Sequence, residues 1–118
     1  MADAHHSIKD IAIAGCTSER GIRLWEEKGL FGEVARTSGD VRRFTSDQMA
    51  MARIIAAASF GGWSLTDIKG MLDEWGPEVR EAILGRLTLQ IQAAARLAEN
   101  LPRVAIPETA KPMQEFDL

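Results

Sequence analysis

Residues 17–30 read TSERGIRLWEEKGL, and the fold turns on how this stretch is read. Thr17 or Ser18 can cap a helix, because a side-chain oxygen there accepts from a backbone N–H that the first turn leaves unpaired. Glu19 follows where the helix dipole favours an acid. Ile22 and Trp25, three positions apart, fall on one face and would point inward. Gly29, just beyond Lys28, supplies the residue with which helices commonly close. A short helix to about Lys28 is therefore expected.

Upstream, Ser7 can cap a helix from Ile8, with Asp10 in its first turn. Ile8, Ile11, Ala12 and Ala14 form its apolar face, and Gly15-Cys16-Thr17-Ser18 interrupts it. Two short helices joined by so tight a turn make a helix-turn-helix, whose second helix enters the major groove of DNA. Downstream, Leu30 to Phe44 has no helical period, contains Gly32 and Gly39, and ends in Val41-Arg42-Arg43-Phe44. Ser38-Gly39-Asp40 is a turn between two short strands, so a two-stranded wing is expected.

Thr45 or Ser46 caps a third helix, Asp47–Ser59, carrying Met49, Ala52, Ile54, Ile55 and Ala56 and ended by Gly61-Gly62. Ser64 caps a fourth, with Leu65, Ile68, Met71 and Leu72 at about one-turn spacing, stopped by Gly76. Trp25, Phe44, Phe60 and Trp63 are expected to close a small core. Trp75 sits at the joint before Pro77, which suits the first turn of the next helix. That helix, about 78–101, is the most regular part. Leu84, Leu87, Ile91, Ala94, Ala98 and Leu101 step by 3, 4, 3, 4 and 3, a heptad seam that wants a partner helix. Folding of the stripe back onto its own head is the alternative. Pro102 ends the helix, and the remainder, with Pro107 and Pro112, reads as irregular. The organisation expected is a winged helix-turn-helix domain over 1–76, a dimerisation helix over 77–101 and an irregular tail over 102–118, in a mainly α chain.

Composition narrows the function. The 118 residues carry 46% hydrophobic side chains and a net charge of −3 at pH 7. An acidic total does not favour DNA, but neutralising phosphates depends on clustering rather than on the sum. Arg36, Arg42 and Arg43 cluster around the expected hairpin and are read as phosphate contacts. Thr17, Ser18, Glu19 and Arg20, at the start of the second helix, are read as base readers, since an arginine fork can take guanine O6 and N7 together. Arg23 is read as positioning, with an ion pair to Glu26 or Glu27 as the alternative. The lone Cys16 excludes an intramolecular disulfide and a cysteine cage, and reads as a small turn residue. His5 and His6 lie close to a free end and are expected to be disordered. Neither a nucleophile with its base, nor paired carboxylates, nor a phosphate loop, nor a metal or cofactor motif stands out, so an enzyme is not expected. Without a signal sequence or an 18-residue apolar run, a cytoplasmic protein is the default.

Taken together, Ile8-Lys9-Asp10-Ile11-Ala12, Ile22-Arg23-Leu24-Trp25-Glu26-Glu27-Lys28-Gly29-Leu30, Arg36, Arg42-Arg43-Phe44-Thr45 and Gly62-Trp63-Ser64-Leu65 with Ile68 resemble the mercury-resistance-regulator (MerR) family of transcription factors. The spacing runs without a gap from Ile8 to about Leu72, and 78–101 stands where that family has its antiparallel dimerisation helix. The resemblance implies a homodimeric regulator on a pseudo-palindromic promoter site, bending and untwisting DNA, with RNA polymerase as the further partner. It departs from the family where Cys16 replaces the usual Gly or Asn, with Gly15 one step early, and where Asp40-Val41 replaces a Gly-Tyr pair. No cysteines follow the long helix within these residues, so no metal sensing is expected, and the tail is too short to build an effector pocket. Met113–Leu118 reads as a short acidic amphipathic segment of the sort that docks in a groove. Two other readings remain open: an excisionase-like or phage-type architectural DNA-binding protein with a similar winged head, and a protein-interaction module.

Overall fold

The computed structural model describes residues 5–112, so the Met113–Leu118 segment lies outside it. Helix α1 (Ile8–Ala14) starts at a reciprocal capping box. The Ser7 hydroxyl accepts from the Asp10 amide at 3.2 Å, and the Asp10 carboxylate accepts from the Ser7 amide at 3.3 Å. Helix α2 (Glu19–Glu27) begins at Ser18, whose Oγ accepts from the Gly21 amide at 3.0 Å. Thr17 is not the cap. Its hydroxyl lies over Gly21, where a Cβ would fall 2.2 Å from Oγ1.

The turn between these helices explains both departures noted above. Cys16 takes φ +51°, in the left-handed region that favours Gly or Asn. Gly15 has an ordinary φ of −85° and is needed for room, because a Cβ there would meet the Trp25 ring at 2.8 Å.

The wing consists of β2 (Ala35–Arg36) and β3 (Arg42–Thr45), antiparallel, with Ala35 opposite Arg43 and Arg36 opposite Arg42. It is not two-stranded. Strand β1 (His5–His6) pairs with the other edge of β3, His5 opposite Thr45 and His6 opposite Phe44, so the order is β1-β3-β2. The expectation that His5 and His6 are disordered is thereby corrected. They complete the ladder of a strand that would otherwise be bare on that side, and His6 Nε2 lies 3.2 Å from Ser46 Oγ.

Helix α3 (Ser46–Phe60) starts at a second capping box, Thr45 with Gln48, and α4 (Leu65–Asp73) at Ser64. Gly76 does not end α4. It stands instead at the start of α5 (Pro77–Glu99), with Pro77 in the first turn. Ile11, Ile22, Phe44, Ala52, Ile55 and Ile68 are completely buried between α1, α2, β3, α3 and α4. Phe31, not foreseen as core, is buried too and meets Phe44 edge-to-face at 5.5 Å between centroids. Trp25 and Phe44 are core as expected, and Trp63 packs against it partly buried. Phe60 is not, since it is 71% exposed at the last turn of α3, outside the apolar face that Ala52, Ile55 and Ala58 turn inward.

Helix α5 meets the head through its first turns only. Ile83 is buried, and Val79 and Leu87 pack partly against the core. Arg86 fastens it further, donating to the Gly61 carbonyl at 3.0 Å and lying 4.4 Å over the Trp63 ring. Beyond Leu87 the seam is bare: Ile91 and Leu101 are 66% and 67% exposed, and Ala94 and Ala98 are exposed as well. The stripe therefore folds onto its own head only at its start, and Leu84 stays 39% exposed even there. A short 3-10 turn, Glu108–Ala110, interrupts the tail.

Candidate nucleic-acid interface

Helix α2 presents one outer face and one buried one. Ile22 and Trp25 go into the core, which leaves Glu19, Arg20, Arg23, Leu24 and Glu27 exposed. Of the four expected readers, Ser18 is engaged as the cap and Thr17 lies against Gly21. Glu19 lies 3.9 Å from Arg23, one turn on. The alternative reading of Arg23 named Glu26 or Glu27 as its ion-pair partner, and the acid it lies near is Glu19. Both side chains are half-exposed, so the pair is weak and readily exchanged for a phosphate or a base. Arg20 forms no ion pair among the described residues and projects from the first full turn.

The reason Glu26 does not meet Arg23 is that it faces the wing. Arg42 Nε donates to Glu26 Oε1 at 2.5 Å, and Arg36 Nη2 lies 3.8 Å from Oε2. With Glu26 and Arg42 both mostly shielded, their side chains 18% and 24% exposed, this is a charge-assisted bond in a setting where water competes poorly. Arg36 also reaches the wing tip, donating to the Asp40 carbonyl at 3.3 Å and lying 3.5 Å from its carboxylate. Asp40 itself takes φ +63°, where the family resemblance would place Gly. An Asp tolerates that region better than most side chains do.

The three wing arginines are thus not equivalent. Arg36 and Arg42 bind the wing to α2 through Glu26, and Arg43 on the opposite face of β3 is exposed with no ion pair among the described residues. A second tie lies underneath. Gln48, nearly buried, donates through Nε2 to the carbonyls of Phe31 at 3.1 Å and Glu33 at 2.9 Å. Its Oε1 accepts from the Thr45 amide at 2.9 Å. One side chain so pins the loop entering the wing to the cap of α3. The sequence reading missed Glu26 and Gln48. For Gln48 a signal existed, the Thr45-x-x-Gln48 capping box. For Glu26 none did.

The arrangement is a helix and a hairpin tied together through Glu26, with Arg20, Arg23 and Arg43 exposed and Glu19 and Glu27 exposed on α2 beside the first two. Of the expected dimerisation residues, Leu84, Leu87, Ile91, Ala94 and Ala98 fall on α5, whereas Leu101 lies past its end, because the helix closes at Glu99 and not at 101. Leu87 packs on the head, and Leu84, Ile91, Ala94, Ala98 and Leu101 are exposed. Beside Ile91, an apolar groove runs between head and helix, lined by Ala14, Ala56, Ala57, Phe60 and Leu87.

Comparison with known proteins agrees with this layout. A family model described as MerR HTH family regulatory protein matches residues 7–75. No curated protein sequence matches the chain. Among solved structures, HiNmlR, a MerR family regulator lacking the sensor domain and bound to promoter DNA, superposes with a TM-score of 0.65 at 21% identity, over 81% of this chain and 80% of that one. SkgA from Caulobacter crescentus, an HTH-type transcriptional regulator, gives 0.64 at 22% identity, over 83% and 73%. The N-terminal part of the multidrug transporter activator of Bacillus subtilis gives 0.56 at 21% identity, over 80% and 89%.

Proposed function

Because the chain belongs to the MerR family of helix-turn-helix regulatory proteins, and is a DNA-binding transcriptional regulator, we propose that it works as a homodimer on a pseudo-palindromic promoter site. The bare apolar stripe along α5 carries this reading. A helix that exposes Ile91 by 66%, together with Leu84, Ala94 and Ala98 of the same seam, is unsatisfied in a single copy. Antiparallel pairing of two such helices buries the stripe and sets two heads a fixed distance apart. Two identical heads related by a two-fold axis read two half-sites in opposite directions.

Within each half-site, α2 lies in the major groove with Arg20 at the base edges and Thr17, Ser18 and Glu19 beside it. Arg23 and Arg43 take phosphates, while Arg36 and Arg42 keep the wing at the height from which Arg43 reaches the backbone. Since Glu26 and Gln48 make helix and wing one body, the protein holds its own shape and the DNA is the part that deforms. Bending and untwisting of the promoter, read by RNA polymerase, is the mode of regulation we assign. The likeness to a regulator bound to promoter DNA while lacking the sensor domain supports a head and helix sufficient for binding. A cytoplasmic place follows from that role.

Selection of bound duplexes from a random pool tests the reading. It should return an inverted repeat, and fluorescence transfer between the ends of the selected duplex should rise as the protein bends it. Ile91→Asp, which puts a charge in the proposed seam, should give monomers by sedimentation and lose affinity by at least tenfold while the head stays folded. A tandem repeat, or a wild-type monomer at tens of micromolar, would overturn the proposal.

A further inference from the structure

Leu24 belongs to none of the packing above. It is 42% exposed on α2 between the two buried residues Ile22 and Trp25 of that helix. Every other exposed side chain on α2 is charged: Glu19, Arg20, Arg23 and Glu27. Ser18, Arg20, Gly21, Arg23, Leu24 and Glu27 together line one shallow recess on the outer face of the helix. Arg20 and Leu24 are four positions apart, so they lie one above the other along that face.

The geometry points to Leu24 as the residue that reads the C5 methyl group of a thymine near the base pair addressed by Arg20, about two steps along the groove. This rests on α2 being the helix that enters the major groove. Thymine alone among the four bases presents a methyl group there, and apolar side chains recognise it by contact. Leu24 can neither donate nor accept. Placed against a cytosine amine or a guanine carbonyl it would strip water from a polar group without replacing the bond. Four helical residues rise about 6 Å, against a base-pair step of about 3.4 Å, so the thymine lies roughly two steps from the guanine of Arg20. The recess then reads a hydrogen-bonding base at one end and a methyl group at the other, which gives each half-site a direction.

The test replaces thymine by deoxyuridine, position by position, in the duplex obtained by selection. Uracil keeps every hydrogen-bonding group and lacks only the methyl. At one position per half-site, removal should weaken wild-type binding by roughly three- to tenfold. Leu24→Ala should bind thymine and uracil duplexes alike, while keeping the wild-type melting temperature and salt dependence. At the same position 5-methylcytosine should bind the wild type better than cytosine does. Uracil tolerated at every position with binding otherwise intact, or Leu24→Ala still preferring thymine, would overturn the assignment of Leu24 alone. Absence of salt-dependent binding to any duplex would instead remove the DNA reading beneath it, and the inference with it.

Discussion

In the head, Ile11, Ile22, Phe44, Ile55 and Ile68 have no exposed surface, and in α5 only Ile83 is buried while Leu89, Ile91 and Leu97 are each more than 60% exposed. The two regions have similar apolar content but different geometry. Four helices and a three-stranded sheet surround a common centre, so each element can bury its apolar face on the others. A single 23-residue helix extends about 34 Å and can lean on the head only along its first turns. The head covers its own apolar faces with help from the first turns of α5, and the outer part of α5 covers none of its own. The polar contacts divide the same way. Glu26 and Gln48 knit the head from within, whereas α5 is held by Arg86 at its base.

Single substitutions can break or sharpen that contrast. The largest effect is expected at the centre of the head, where Phe44→Ala should cost about 3–5 kcal/mol. Ile91→Ala should change head stability by less than about 0.5 kcal/mol and act on self-association instead. Denaturant unfolding of both variants, with sedimentation of the second, checks this. Similar losses of head stability would mean that α5 is part of the same cooperative core.

A smaller effect separates two neighbouring arginines of β3. Arg42→Ala should lower stability by about 1–2 kcal/mol, because the half-buried Glu26 keeps only Arg36 at 3.8 Å. Arg43→Ala should leave stability alone and flatten the salt dependence of DNA binding by about one unit. An unchanged melting temperature for Arg42→Ala would show that the tie between wing and helix does not hold the head together. The smallest effect concerns the turn. Cys16→Gly should raise stability by about 0.5–1 kcal/mol by relieving the left-handed backbone, and Cys16→Val should lower it. Thermal unfolding would register both, with the opposite order refuting strain at that residue.

The starts of the helices were legible in the residues themselves. Ser7, Ser18, Thr45 and Ser64 each accept from an amide three positions ahead, a bond whose two ends lie within one turn of chain. The periodic faces of α1 and α2 were legible for the same reason, since spacing along a helix is set by the helix alone. Whether Thr17 or Ser18 caps α2 was already less so, because it depends on Thr17 meeting Gly21 across the turn.

What the tertiary structure decided are the pairings between distant residues. His5 and His6 become a strand only because β3, some forty residues later, offers an open edge. Phe60 is left outside and Phe31 taken in according to where the other elements cross, and an apolar side chain in a sequence does not record that. Glu26 meets Arg42 and Arg36 instead of Arg23 because the wing folds back over α2, which ties two of the three wing arginines to that helix. Local hydrogen bonds and helical periods are set by neighbours in the chain, so sequence alone determined them. The choice of which carboxylate meets which arginine, and which apolar face is covered, is set by loop closure and packing among elements that the chain separates.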